Sequence, residues 1–270
     1  MKQQLWVFSL SLVILGGGES FAGDFLDGIT RNEIKSACRV RNICNAQYKF
    51  YIKNKSFSKD LKTLYDHSLV SKELSSGILE GYKFATSSNK GSIVVSGTPI
   101  DRKVNKRVFE YDGGIETLKK RNGVPFIGSY FVGKKKNVVI LYPLDFVIKA
   151  SDKWHLPKGY VFKVPVKTLI IAEGVVKIGK KWKYHGPEGS SEKSFRDHRI
   201  VKGKAKVGCL LAGIVTNGAV GYDRHYFGSN DEIIKLTLPE KKRIAFQLND
   251  TGLSNNTGNI HIYTIKLQLK

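Results

Sequence analysis

The apolar positions of the first third of the chain follow two different spacings. Between Ile29 and Phe50 they recur mainly every three or four residues, which predicts a helix with one buried face. Leu61–Tyr65 indicates a second short helix, and the alternating runs Ser92–Ser96 and Lys106–Tyr111 indicate half-buried strands. The pattern therefore predicts a long helix packed on an antiparallel sheet.

The pattern changes at about residue 144, where short apolar runs begin to recur between glycine-containing turns. Regularly spaced short strands are typical of two packed sheets. The predicted fold class is therefore an α+β domain at residues 23–118, a basic connector at 119–143, and an all-β jelly-roll or β-sandwich domain at 144–270. The strands predicted in the last part are Phe146–Lys149, Gly159–Lys163, Leu169–Gly174, Gly208–Val215, Ile233–Leu236, Ile244–Leu248 and Ile260–Ile265.

Residues 1–22 have the pattern of a secretory signal peptide. They combine Lys2, an apolar core from Leu5 to Leu15, and small residues at Ser20 and Ala22 before a cleavage point. This apolar segment is too short for a membrane-spanning helix, which needs about 20 residues. We expect an exported protein that is periplasmic, secreted or at the cell surface, and the alternative is a retained membrane anchor.

The charge is strongly basic, with 45 Lys and Arg against 23 Asp and Glu and a net charge of +22. Such a balance favours anionic partners such as polyanions, acidic polysaccharides or a cell surface, although it also serves solubility. Arginine is the minority cation, so no specific nucleic-acid binding is predicted. The pattern says nothing about the oligomeric state.

Three cysteines, Cys38, Cys44 and Cys209, fit buried positions better than a metal site. Cys38 and Cys44 are separated by about 9 Å along a helix axis, which exceeds the reach of a disulfide. No pair has C-x-x-C spacing. An exported chain has room for one disulfide, and the sequence leaves the pairing open.

A loop rich in oxygen-bearing side chains lies between the last two predicted strands. Asp250 offers a carboxylate, Asn255 and Asn256 offer amide oxygens, and Gly252 lets the backbone turn. Hard cations such as Ca²⁺ bind carboxylate, amide and backbone oxygens. The alternative is an Asn/Gly hairpin turn whose side chains cap their own backbone.

Short motifs between residues 27 and 118 occur in a fixed order. They are A-Q-x-x-F from Ala46, L-x-x-L from Leu61, L-V-x-x-E-L-x-S-G from Leu69, G-Y-x-F from Gly81, V-x-x-x-P from Val95 and R-x-F-x-x-D-x-G from Arg107. This order resembles the soluble part of type IV pilin-like and pseudopilin proteins. Those families begin with a prepilin motif and an assembly helix, which this chain replaces with a conventional signal peptide. The resemblance implies a soluble component or adaptor of a pilus or secretion assembly.

The last part of the chain combines Trp154, Gly186-Pro187-Glu188-Gly189, and Asn249-Asp250 followed by Asn255-Asn256-Thr257-Gly258. This order resembles the PA-IL-type galactose-binding lectin domain over about residues 144–270. In that family a calcium ion bridges the protein and two sugar hydroxyls. The resemblance implies calcium ligands at Asp250, Asn255 and Asn256, and backbone carbonyl ligands near Leu253 or Ser254 and near Ile178.

Two departures from that family change the expected sugar. The loop from Asp250 to Asn255 is shorter, and Lys193 and Arg196 fall near the positions of sugar-contacting His and Gln. These cations favour an acidic or different glycan, and the alternative is a solvated basic loop. Trp182 and Tyr184 flank the Gly-Pro-Glu-Gly motif, where an aromatic ring offers a rigid apolar surface to a sugar.

No catalytic signature accompanies these features. The six histidines show no H-x-x-x-H spacing, and neither a G-x-S-x-G elbow nor a paired-carboxylate pattern appears. The predicted function is therefore an exported, non-catalytic, lectin-like carbohydrate-binding protein with a calcium-assisted site. The alternatives are the pilin-like adaptor and a basic surface protein that binds polyanions.

Overall fold

The structure is a computed structural model that describes residues 25–89, 91–120, 125–135, 138–158, 161–191, 205–216, 219–229 and 231–268. The predicted signal peptide, Lys193 and Arg196 lie outside these residues. Within the described ranges, no helix is both long and apolar enough to cross a membrane.

Four helices are present among the described residues. The first, α1, begins with a capping box: the Thr30 hydroxyl accepts from the Glu33 backbone N–H at 3.1 Å, and the Thr30 N–H donates to the Glu33 carboxylate at 2.9 Å. It ends where Lys55 adopts a left-handed conformation with φ of 58°. The helices are α1 (Arg31–Asn54), α2 (Leu61–Asp66), α3 (Lys72–Ser75) and α4 (Ile115–Lys120).

Two antiparallel sheets contain the described strands. The large sheet has nine strands in the order β1-β2-β3-β4-β5-β6-β12-β7-β10, and the small sheet has the order β11-β8-β9. The strands are β1 (Ile78–Leu79), β2 (Tyr82–Asn89), β3 (Ser92–Pro99), β4 (Arg107–Gly114), β5 (Ile127–Phe131), β6 (Val139–Lys149), β7 (Val166–Ile178), β8 (Leu210–Thr216), β9 (Ala219–Tyr226), β10 (Ile234–Leu238), β11 (Arg243–Leu248) and β12 (Asn256–Gln268).

Buried apolar side chains form two main clusters on opposite faces of the large sheet. One cluster joins α1 to strands from both halves of the chain, including Ile171 and Ile265 from β7 and β12. The other joins β6, β7 and β12 to the small sheet, where Phe246 and Leu210 are buried. Alternation along β12 explains this division, because successive side chains point to opposite faces: Ile262 belongs to one cluster and Ile265 to the other.

The predicted fold class is wrong. The described structure is mostly β, and helices α2 to α4 are short. It is not an α+β pilin-like domain followed by an independent all-β domain, because strands from both predicted parts pair within one nine-stranded sheet. The strand β6 makes the junction, since it pairs with β5 on one side and β12 on the other. Gly159–Lys163 is not a strand over its described residues, 161–163.

All three cysteines are buried, and the thiols of Cys38 and Cys44 are not joined in a disulfide, which confirms that these two are core residues. Burial raises the pKa of both the Cys38 and Cys44 thiols well above the ordinary value. The Cys38 thiol points at the Thr264 carbonyl, with a sulfur-to-oxygen distance of 3.8 Å. These thiols are packing groups and carry little thiolate at neutral pH.

Candidate functional site

The loop that carries Asp250 connects the two sheets. The preceding strand, β11, pairs with β8 in the small sheet, whereas β12 pairs with β6 and β7 in the large sheet. The strands β11 and β12 therefore do not form a hairpin, but the self-capping that the alternative also predicted is present, because the Asp250 carboxylate accepts the Gly252 backbone N–H at 3.0 Å. Asn249 fixes the start of the loop: its backbone N–H donates to the Cys209 carbonyl at 2.7 Å, and its side-chain amide donates to the Lys206 carbonyl at 3.0 Å.

Asp250 and Asn256 are in direct contact at the base of this loop. The Asn256 side-chain NH₂ donates to one Asp250 carboxylate oxygen at 2.9 Å, and the Gly252 backbone N–H donates to the other at 3.0 Å. Asp250 is 2% exposed and Asn256 is 6% exposed. The carboxylate is therefore held rigidly and is largely shielded from bulk water.

The Asn256 amide oxygen differs from the other polar atoms of this pair in its hydrogen bonding. It is buried and accepts no hydrogen bond in the described structure, although buried acceptors are nearly always satisfied. The same amide group's nitrogen lies 2.9 Å from the Asp250 carboxylate and 3.4 Å from the Ala150 carbonyl. An acceptor without a partner next to a buried carboxylate is a feature that a bound ligand or cation explains.

A pocket of about 240 Å³ opens beside this pair. Asp250 and Asn255 both line it, so the structure brings these two predicted ligands to one cavity. The side chain of Asn255 lies against Gly179: a Cβ built on that glycine would come within 2.9 Å of the Asn255 amide nitrogen. The pocket residues are Ile178, Gly179, Lys180, Lys181, Trp182, Val207, Asp250, Gly252 and Asn255.

The other predicted site residues occupy different positions around this pocket. Ile178 lines it and pairs with Asn256 across β7 and β12. Leu253 is buried and its carbonyl accepts the Asn256 backbone N–H, which closes a 3₁₀ turn at Leu253–Asn255. Ser254 is exposed. Trp182 lines the pocket, but Tyr184 is 63% exposed and does not.

Sequence reasoning missed the two lysines in the pocket wall, Lys180 and Lys181. They follow Gly179, whose φ of 74° turns the chain at the end of β7. The available signal was their position directly before Trp182. Together they place two cations in a wall whose described residues include one carboxylate, Asp250.

The donor set of this site fits a hard cation in type. Asp250 supplies a carboxylate and Asn256 an amide oxygen without a partner, but the Asn256 NH₂ is the group that meets the carboxylate, so a cation shared by the two side chains requires the amide to turn over. The local charge is unfavourable for a cation, because one carboxylate and two lysines share the described lining of the pocket. Among the described residues, this loop included, no group of three His, Cys, Asp or Glu side chains could hold a metal.

Comparison with solved structures gives eight similar chains. No family model and no curated protein matches the chain. A solved structure described as "EclA N-terminal domain; PllA-like lectin" aligns over 45% of this chain and 94% of its own, at 13% identity and a TM-score of 0.31. A TM-score this low does not establish a shared fold. The function proposed below therefore follows from the geometry of the site.

Proposed function

We propose that this protein binds carbohydrate, without catalysing a reaction, in the pocket beside Asp250. The observation that carries the proposal is that a buried carboxylate, an amide and an indole line one cavity of about 240 Å³. The carboxylate of Asp250 accepts from sugar hydroxyls, and the amide of Asn255 both accepts and donates. Trp182 offers a rigid apolar surface for the C–H face of a sugar ring.

The pocket wall favours an acidic sugar. Lys180 and Lys181 line the cavity, and Lys206 adjoins the lining residue Val207. A uronic acid, or a sulfated or phosphorylated sugar, would place its charge near these ammonium groups. With a neutral sugar, Asp250 would be the single acid beside two lysines among the described lining residues.

A calcium ion is the proposed cofactor of the same site. Asp250 would hold it together with the amide oxygen of Asn256, whose amide would turn over from its present hydrogen bond, and Asn255 and the Leu253, Ser254 and Ile178 carbonyls are the further candidate ligands. The ion would polarise sugar hydroxyls and offset the charge of Asp250. With one carboxylate among its ligands, the site belongs with weak calcium sites, whose dissociation constants are about 0.1–1 mM.

The pocket lining argues for binding without catalysis. Glycoside hydrolysis ordinarily needs two carboxylates that flank the scissile bond. Among the described residues that line the pocket, Asp250 is the single acid, and no histidine is present. Export to the periplasm or cell surface remains a further proposal, which rests on the pattern of residues 1–22.

A glycan array read with and without calcium tests this function, followed by titration calorimetry on the best ligand. We expect Trp182→Ala to weaken binding by about 1–3 kcal/mol, the value of one stacked aromatic surface. Tyr184→Ala is the matched control because it removes an exposed aromatic outside the pocket. Equal effects of the two substitutions, or an array on which no glycan binds, would contradict the proposal.

Calcium dependence is measured separately by thermal unfolding. A ligand that binds only the folded state stabilises it by RT ln(1+[L]/Kd), so about ten millimolar Ca²⁺ should raise the unfolding midpoint. Asp250→Asn should abolish this increase, and Asp231→Asn, an exposed carboxylate elsewhere, should retain it. A wild-type midpoint that does not respond to calcium removes the ion from the proposal and leaves the sugar pocket to be judged by the array.

A further inference from the structure

A second cavity contains two cationic side chains and lies between the two sheets. Its volume is about 20 Å³, and its walls include Arg243 from β11 and Lys266 from β12. Most of the remaining wall is apolar, with Phe146, Pro157 and Phe246 among its residues. This volume is enough for one water-sized ligand, since a single water needs about 10–15 Å³ measured in the same way.

The two cations have little compensation from the protein. Arg243 donates one hydrogen bond to the Pro157 carbonyl at 3.0 Å, and the Lys266 ammonium lies 5.8 Å from the centroid of the Phe162 ring. In the described part of the chain, no carboxylate forms an ion pair with either side chain. Two neighbouring cations in a mostly apolar cavity repel one another and are poorly solvated.

A hydroxyl donor without a partner lies on the same face of the sheet. Thr168 on β7 is directly opposite Lys266 on β12, and directly paired residues of an antiparallel sheet share one face. Thr168 is fully buried, and its hydroxyl has no hydrogen-bond partner in the described structure. The region therefore has an excess of donors and positive charge.

We propose that this cavity is a binding site for a monoatomic anion, with chloride as the representative ligand. The charges of Arg243 and Lys266 give the site its sign, and the space of about 20 Å³ fits a single small ion. An anion here would neutralise the repulsion between the two cations and would join β11 to β12 across the sandwich. The site is separate from the pocket beside Asp250, with which it shares no lining residue.

The titration of Lys266 provides an independent readout. The pKa of Lys266 is lowered from its ordinary value to about 8. Burial is the larger cause of this shift, and the charge of Arg243 is the smaller one. The group opposite it on β6 is Tyr142, the group on β7 is Thr168, and the cation from β11 is Arg243. A bound anion favours the protonated ammonium, so chloride affinity should be full near pH 7 and should fall as the pH rises above 8.

Thermal unfolding tests the proposal, in sodium chloride and in sodium gluconate at equal ionic strength. At pH 7 we expect a midpoint higher by about 2–4 °C in chloride, and at pH 10 we expect most of this difference to disappear. Lys266→Met should abolish the chloride effect. Lys235→Met, an exposed lysine on β10, should preserve it.

Bromide locates the site without relying on any variant. Crystals of the wild-type protein soaked in sodium bromide should show an anomalous peak between Arg243 and Lys266. A peak there, with a chloride effect that Lys266→Met removes, supports the site. No peak there, or a chloride effect of equal size in wild type and Lys266→Met, overturns it. If Lys266→Met does not fold, the bromide peak and the wild-type pH profile decide the question.

Discussion

Glu33 and Arg107 form an ion pair that is almost completely buried, and the surrounding backbone is arranged around it. The Arg107 guanidinium donates to the Glu33 carboxylate at 2.8 Å, and the side chains of both residues are 1% exposed. The other carboxylate oxygen accepts the backbone N–H groups of Lys106 and Arg107 at 2.7 and 3.0 Å. The guanidinium also donates to the Phe25 and Asp27 carbonyls. The pair therefore fixes the start of α1 against β4.

Removing one partner of this pair should destabilise the protein strongly. We expect Glu33→Gln or Arg107→Met alone to cost about 3–5 kcal/mol, because each leaves a buried charge without its counter-charge. The double substitution should cost less than the sum, since it leaves no unpaired charge. Urea unfolding of the four proteins measures the coupling, and strictly additive losses would show that the two side chains act independently.

The local sequence contains no sign of this pair. Glu33 is recognisable as the third residue of a capping box, but its second role depends on Arg107, which lies 74 positions further along the chain. Only the packing of α1 on the sheet brings the two together. The same limit applies to Asp250 and Asn256: their residue types predicted a shared site, but the two lysines in the pocket wall were missed.

Gly174 on β7 and Gly258 on β12 let two long strands pass close to one another. Their φ angles are +126° and +98°, in the region that side chains rarely adopt. A Cβ at Gly174 would lie 2.3 Å from the Asn259 carbonyl oxygen, and a Cβ at Gly258 would lie 2.3 Å from the Val175 carbonyl oxygen. The ladder between β7 and β12 extends on both sides of these positions, so it depends on the absence of side chains there.

Gly174→Ala should therefore be costly for two separate reasons. The backbone conformation alone costs about 1–3 kcal/mol, and the clash with the neighbouring strand adds to it. Gly91→Ala is the matched control, because Gly91 has a φ of +92° but a Cβ added to it would meet no atom within 4 Å. Thermal unfolding should show a larger loss for Gly174→Ala than for Gly91→Ala, and equal losses would mean that β12 moves aside without cost.

Single strands were easier to predict than their partners. Alternation located β3 and β4, and apolar runs located β8 and β11, because burial on one or both faces leaves a local pattern. Pairing leaves no such pattern. The sequence neighbours β11 and β12 look like a hairpin, yet they belong to different sheets. The predicted strand Phe146–Lys149 is only the end of β6, which begins at Val139 inside the predicted connector and joins the halves of the large sheet.

The polar side of α1 links the first part of the chain to the strands of the last part. Asp145 on β6 accepts from the Asn42 amide at 3.1 Å and lies 3.3 Å from the His261 ring nitrogen on β12. The Arg41 guanidinium lies 3.6 Å from the other carboxylate oxygen of Asp145. Further along, the Glu173 carboxylate on β7 is 2.6 Å from the Lys35 ammonium. Charged contacts thus accompany the shared apolar core along the first half of the helix, from Arg31 to Asn42.

These contacts make acid stability depend on the two carboxylates. Burial alone would raise the pKa of Asp145, but hydrogen bonds from His261 and Asn42 and the charge of Arg41 outweigh it and lower the pKa. Burial is likewise outweighed at Glu173, whose pKa is lowered by Lys35 and Arg31. A carboxyl whose pKa is lower in the folded state stabilises the protein above its unfolded pKa of about 4. That contribution is lost as the pH falls through the folded value.

Asp145→Asn should therefore change the shape of the pH–stability curve as well as its height. At pH 6 the variant should be less stable than wild type, because it loses the negative charge that pairs with Arg41. Between about pH 4 and pH 2 its stability should fall less steeply, since one lowered pKa no longer contributes to the slope. Urea midpoints measured at each pH give both quantities, with Asp231→Asn as the exposed control. If Asp145→Asn has the wild-type slope, the acid sensitivity comes from other carboxylates, and the contact between α1 and β6 does not depend on this charge.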